Sequence, residues 1–353
     1  MKVFDVVTRK LLPLVIFPAI SYAAIRTVFS NFASSGAMQT SQTLCHAAID
    51  ANSSPYRLLY TGFVDVDHLL CGLVTFFHGF MIPSFRPFVG DLMTGLAIIA
   101  LVPYLEASRD EPPIALRFPV AFGVLYQIAS MAIVMPVYWL AFIFTGAATR
   151  HRNTGAGSSK INQGNAEALL FSFIVGFIIP SACMFVMEDP IVTAIWQGFP
   201  LIMQLAIFMH RLVRSPSRLT QSGYQIVQAT YILIFVSSAV IHIYTHWPII
   251  ENHELLKALY IPSLVPLSPE TANFEQGVRD FIQWDLIFGG MSSVLATFWF
   301  ADNLKQLIVL LVWHVTATGA FGPGAAIAGA YMWREARLNA QEGKQEGRKL
   351  KLQ

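Results

Sequence analysis

Nine apolar runs divide the chain, at residues 11–29, 58–80, 88–105, 120–147, 166–187, 191–209, 224–247, 281–300 and 306–333. Each reaches or approaches the roughly 20 residues that a helix needs to cross a bilayer. The pattern predicts an all-α fold, a polytopic membrane helical bundle. No linker interrupts the series, and 149–167 (TRHRNTGAGSSKINQGNAE) is a polar loop of ordinary length. The expected organisation is a single integral-membrane domain over 1–335, followed by a basic, disordered tail over 336–353. The opening run has the apolar character of a signal peptide but no small-residue cleavage site, and is read as a retained first helix.

Basic residues in short loops set the orientation. Lys2, Arg9 and Lys10 place the N-terminus in the cytosol, and Arg150, Arg152 and Lys160 fall on the same side four crossings later. Arg211, Arg214 and Arg218 follow after two more. The loop after the first run is then lumenal, and it carries Asn52-Ser53-Ser54, a glycosylation sequon. Nine crossings would put Arg334, Arg337 and the tail in the lumen, against the rule. The ending Lys349-Leu350-Lys351-Leu352-Gln353 also resembles a dilysine retrieval signal, which is read in the cytosol. Eight crossings are therefore expected, with one of the last three runs re-entrant or short of spanning. The Gly322-Pro323-Gly324 break would let the final run fold back on itself.

Composition agrees with this class. The sequence is 55% hydrophobic and 12% charged, against about 25% charged in soluble domains, with a mean hydropathy of +0.54. A net charge of +2 without a basic patch offers nothing to nucleic acid. The expected partners are membrane lipid and a hydrophobic small molecule; nothing in the sequence sets an oligomeric state. Cys45, Cys71 and Cys183 lack CxxC spacing, so neither a disulfide framework nor a zinc site is expected. Cys71 and Cys183 read as small packing residues.

Ionisable side chains inside apolar runs are costly, at about 2.5–3.5 kcal/mol for a carboxylate at mid-bilayer, and they usually mark function. Asp65, Asp67 and His68 open the second run in TGFVDVDHLLCGLVTFF. Asp65 and His68 share a helix face, whereas Asp65 and Asp67 do not. Asp285 lies in FIQWDLIFGGMSSVLATFW, with Gly289 and Ser292 leaving room on its face. His242 and His246 (IHIYTHWP) suit an interfacial anchor as well as a pocket, His78 and His314 suit a packed core, and Glu188-Asp189-Pro190 reads as a turn. HExxH is absent, and neither HxxxH at His242 and His246 nor the DxDH at Asp65 to His68 makes a metal site alone. DDxxD and GxSxG are absent too. What remains is acid chemistry in an apolar cavity: a buried carboxyl keeps its proton, aromatic faces stabilise a cation and dry walls protect it.

Together, the motifs around Asp65–His68 and Asp285 resemble those of the fungal membrane-bound terpene cyclases of meroterpenoid pathways, the group that includes the ascochlorin and ascofuranone cyclases. VDVDH is also similar to the DxDD acid of soluble protonating cyclases, with His68 in place of the last aspartate. The resemblance implies an endoplasmic-reticulum enzyme that cyclises a farnesyl chain on an aromatic head. It would protonate a terminal epoxide or olefin, without diphosphate loss, cofactor or metal. Asp65, Asp67 and Asp285 are then the catalytic candidates, and His68, Trp284 and His242 the candidates for contacting substrate. A lipid isomerase would share such a buried acid, and a proton-coupled transporter would also keep protonatable aspartates among apolar helices. A non-catalytic scaffold would need none of them.

Overall fold

A computed structural model describes residues 10–46, 54–152, 160–213, 221–270 and 272–350, with backbone alone at 151–152 and 344–350. The helices are α1 (Leu12–Ser34), α2 (Ala37–His46), α3 (Val64–Phe80), α4 (Arg86–Ala107), α5 (Pro119–Ala129), α6 (Met131–Phe144) and α7 (Gln163–Met187). They continue with α8 (Pro190–Gln197), α9 (Phe199–Val213), α10 (Tyr224–His246), α11 (His253–Tyr260), α12 (Phe274–Thr297) and α13 (Leu304–Leu350). Among the described residues the only extended pairing is one bridge between Asn162 and Ser222. The fold is an all-α polytopic bundle.

Helix α4 is its axis. Between Asp91 and Glu106 the stretch LMTGLAIIALVPYL is apolar on nearly every face, so the helix has no face for solvent or lipid, and nearly every residue from Phe88 to Glu106 is buried. Helices α10 and α13 pack along it, and α12 packs on α6.

Contacts between distant residues define two ends of the bundle. At the basic end, Arg334 and Arg109 share Glu106 and Glu335: Arg334 Nη1 lies 2.8 Å and Arg109 Nε 2.9 Å from Glu106 Oε1, and Arg109 also pairs with Glu335. All four are buried. Two cations facing two anions stay neutral together, which such burial requires. Arg334 Nη2 also donates to the Ala147 carbonyl, and Asp110 N–H to that of Lys160. At the opposite end Gly277 fits against Ser35 and Ala37, Gly79 meets Phe274, and Arg279 stacks over Phe85.

These contacts correct the expected topology. Helix α1 reaches the opposite end at Ser35 and α4 departs from it at Phe85, so α3 between them begins and ends there without crossing. Helices α5 and α6 enter from the basic end and return to it, meeting at Ser130 inside the bundle. Among the last runs none fails. The final one crosses twice, because α13 folds back at Gly322 (φ +86°), a conformation that glycine adopts freely. Its legs are antiparallel: Trp313 Nε1 donates to the Ala326 carbonyl, and Arg337 bonds to Phe300 O and Asp302. Among the described residues seven helices are long and apolar enough to span a membrane, α6 with the turn after it among them and α13 counted once, or eight with the α8–α9 pair bent by 64° at Gly198. Tracing the two ends instead returns α5–α6 to the basic end and divides α13, so that eight segments run from end to end: α1, α4, α7, α8–α9, α10, α12 and both legs of α13. The last helix also runs beyond residue 335, with Leu338 buried. The sequon asparagine and residues 351–353 lie outside the described residues.

One cysteine expectation is overturned. Cys45 at the end of α2 is bonded to Cys71 in α3, while Cys183 is free. The sequence separation of 26 residues concealed the pairing, which needs the α2–α3 contact to form. The bond ties α3 across the end of the bundle opposite the basic cluster, and a loop of this size contributes on the order of 3 kcal/mol. Under denaturing, non-reducing conditions a maleimide reagent should therefore label one cysteine per chain, and three after reduction; three labels without reductant would contradict the bond.

Candidate active site

The run at 120–147 contains neither a proline nor a glycine at the point where it breaks. The break falls at Ser130, which takes φ +86° and ψ 140°, a strained conformation for a residue with a Cβ. Its purpose is visible in what it meets. Ser130 Oγ donates to Asp285 Oδ1 at 2.5 Å, and the Ala132 N–H donates to the same oxygen at 2.7 Å. Ser130 also caps α6, whose N-terminal dipole therefore points at the Asp285 carboxyl. Neither donor reaches Oδ2.

Other elements hold this helix start in place. Ser21 of α1 donates to the Ile133 carbonyl at 2.8 Å, and Ala24 and Val28 pack on Ala132. Gly289 of α12 lets α6 approach, because a Cβ there would lie 2.8 Å from Met131 Cγ. Ser292 and Ser293 turn their hydroxyls back to the Gly289 carbonyl.

Asp285 lies on the wall of a cavity of about 320 Å³ between α1, α2, α3, α4, α5 and α12. Its lining is dominated by phenylalanines 29, 32, 76, 77, 80 and 281. Phe281 is the hub, meeting Phe76 at 5.0 Å, Phe32 at 5.2 Å and Phe29 at 5.7 Å, all edge-to-face. Such rings present electron-rich faces that stabilise carbocations. Met38, Ser41 and His68 line the part nearest the disulfide end. A larger groove, about 710 Å³, lies between α10 and the legs of α13, but its lining holds neither carboxyl nor imidazole. The 320 Å³ cavity is the one equipped for acid chemistry.

The sequence candidates scatter. Asp285 and His68 line the cavity. Asp65 is exposed, off the lining. Asp67 is buried but faces the preceding loop, accepting from Thr61 N–H (2.7 Å), Thr61 Oγ1 (2.8 Å) and Gly62 N–H (3.1 Å), so it fixes the start of α3. Trp284 turns toward α1 and α6, packing near Ala24, Val28 and Ala132 and stacking on Phe288. His242 sits across α4 from the cavity, bonded to Asp91 at 2.8 Å. The sequence reading missed Asp91, although it is a carboxylate inside an apolar run and the rule that singled out Asp285 applies to it equally. Ser130 gave no signal.

The fold and site define a polytopic membrane protein with an acid-bearing, aromatic cavity inside an all-α bundle. Residues 13–338 match the CtvD domain family, and the chain belongs to it. It is 23% identical over 281 residues to terpene cyclase rstn5 of Aspergillus nomiae, covering 74% of this chain and 76% of that protein. Terpene cyclase ascI of Acremonium egyptiacum is 22% identical over 65% of this chain and 64% of its own length, just under two thirds. The FAD-dependent monooxygenase verC1 of Penicillium polonicum is 21% identical over 62% of this chain but only 28% of its own. No solved structure matches. The names of the first two support a terpene cyclase family and an enzymatic role.

Three outcomes follow for purified variants. Asp67→Ala should lower stability by about 1.5–3 kcal/mol, the worth of hydrogen bonds to a charged group, and Asp65→Asn should leave the melting midpoint in place. Gly289→Val should displace the start of α6 and destabilise the protein by about 1–3 kcal/mol. An unchanged melting curve for Gly289→Val would show that α6 does not depend on that close approach.

Proposed function

We propose that the chain is an integral-membrane terpene cyclase of the endoplasmic reticulum, with the basic end of the bundle in the cytosol. It closes the prenyl chain of a farnesylated aromatic substrate, and Asp285 is the acid. The observation that carries this is the arrangement of the carboxyl. One oxygen is held by Ser130 and the Ala132 N–H, and the other is left for a proton directed at a substrate among phenylalanine rings.

The step conserves atoms. The proton passes from Asp285 Oδ2 to the oxygen of a terminal epoxide, and the C–O bond at the more substituted carbon breaks. Neighbouring double bonds then attack in turn, each forming a C–C bond and moving the positive charge along the chain. Loss of a proton from the last cation gives a product of unchanged mass. The two donors on Oδ1 stabilise the carboxylate that the acid leaves behind, so the break at Ser130 serves the proton transfer directly. His68, on the lining, has its Nε2 lone pair engaged by Arg57 Nη2 at 3.1 Å, so it stands as a substrate contact and not as the final base. An epoxide is favoured over an olefin by the likeness to verC1, whose name is FAD-dependent monooxygenase, because an oxygen-inserting reaction is the chemistry that supplies an epoxide.

Microsomes containing the wild-type chain should convert a farnesylated phenol epoxide to a product of identical mass and new retention time. Asp285→Asn should reduce that product by about 10²–10⁴-fold, the usual contribution of a positioned acid. Ser130→Ala should reduce it by about 10–100-fold, equivalent to one hydrogen bond to a charged group. Full turnover in a folded Asp285→Asn chain would remove Asp285 from the chemistry. A product with a shifted double bond and no new ring would identify a lipid isomerase instead.

A further inference from the structure

On the far side of α4 from the cavity lies a second polar cluster. Leu92, Met93 and Leu96 line the cavity, while Asp91 faces α10 and the Gly322 turn. His242 Nδ1 lies 2.8 and 3.0 Å from the two Asp91 oxygens, and His246 Nε2 lies 3.7 Å from Oδ2. Tyr260 of α11 donates its hydroxyl to Asp91 Oδ2 at 2.6 Å and also meets His246 Nε2. The histidines are one helical turn apart on α10, their rings stacked at 4.1 Å.

The outer nitrogens of both rings decide what the inner ones can do. His242 Nε2 lies 3.3 Å from the Gly319 carbonyl, and His246 Nδ1 lies 2.8 Å from the His242 carbonyl. A carbonyl only accepts, so each outer nitrogen carries a proton. The inner nitrogen of a neutral imidazole then bears a lone pair. With both rings neutral, two inward lone pairs and a carboxylate converge, and the one hydroxyl proton there, that of Tyr260, goes to Asp91 Oδ2. A proton on His242, which makes its contact with Asp91 an ion pair, or a metal cation resolves this surplus of acceptors. Histidines that ligate metals characteristically donate their other N–H to a backbone carbonyl or carboxylate, as both do here.

We infer that Asp91, His242 and His246 bind a divalent transition metal, zinc being the ion that the ligand set fits best. The ligand atoms all lie within 4.8 Å of one another. Tetrahedral zinc with bonds of about 2.0–2.1 Å separates its ligands by about 3.3–3.4 Å; His242 Nδ1 lies 2.8 Å and His246 Nε2 3.7 Å from the Asp91 oxygens, so the ion would push the first apart and draw the second in. Two imidazoles and a carboxylate suit zinc better than magnesium, which prefers oxygen ligands throughout. The fold leaves space for the site at Gly322, where a Cβ would lie 3.0 Å from Asp91 Oδ1 and 3.1 Å from His242 Cβ. The ion would join α4 to α10 where the legs of α13 turn and, through Tyr260, hold α11 on the bundle. It stands apart from the Asp285 cavity and does not depend on the reaction proposed there.

The test uses the full chain, purified in detergent without chelator and with any affinity tag removed. Elemental mass spectrometry should find about one zinc per chain, and the double variant His242→Ala/His246→Ala should lose it. A chelator should lower the melting midpoint of the wild type, and added Zn²⁺ should restore it. Co²⁺ added to the stripped wild type should give the visible bands of a tetrahedral site, a readout independent of whether the variant folds. Zinc retained in the double variant would place the ion elsewhere and overturn the assignment. So would a stripped wild-type chain that neither melts differently with Zn²⁺ nor colours with Co²⁺.

Discussion

The contact between Asp285 and the broken start of α6 organises the half of this molecule that holds the phenylalanine-lined cavity. A carboxyl in the middle of an apolar bundle needs donors, and in this setting the backbone is the cheapest source. Interrupting a helix exposes N–H groups that an unbroken helix keeps for itself. The interruption costs strain at Ser130 and requires packing from α1 and a glycine at 289 to hold α6 against α12. Those contacts in turn shape one wall of the cavity. Acid, cavity and helix break are thus one construction.

The same economy appears at the other breaks. Backbone groups away from water must find partners within the protein. At Gly322 they do so through Ser238, which donates to the Phe321 carbonyl and accepts from the Ala325 N–H. At the basic end two arginines and two glutamates satisfy one another, and Arg334 adds the faces of Phe142 and Phe300 at 5.2 Å each. Among the described residues buried polar groups gather at these places and at smaller ones, such as Asn31 with Asp280 and Thr297 with His314. Asp91 and Glu106 stand at different positions along α4, and the mostly apolar stretch between them keeps their clusters apart.

Helix α3 shows why a motif on its own can mislead. The string VDVDH concentrates three ionisable residues, yet they diverge as soon as the helix forms: Asp65 outward, Asp67 into its own N-terminal loop, His68 toward the cavity. Hydrophobicity there reflects packing at the end of the bundle under a disulfide, not a path through lipid. The HxxxH pair at His242 and His246 is the reverse case. It was incomplete in sequence and acquires its third member, Asp91, only from a helix 151 residues away.

The sequence by itself determined the class of fold, an all-α bundle of long apolar helices, and singled out Asp285 as a carboxyl inside one of them, because hydropathy and the cost of a buried carboxylate are local properties of a chain. It also marked Gly322 as a break. Which runs cross, which cysteines bond, where α5 ends and what faces Asp285 were decided by the tertiary structure alone. Each of these depends on contacts between helices far apart in the chain, as between Ser130 and Asp285 or Cys45 and Cys71. Runs of equal apolarity serve equally well for spanning lipid, for capping one end of a bundle or for entering and returning, and only the neighbours they pack against distinguish those fates.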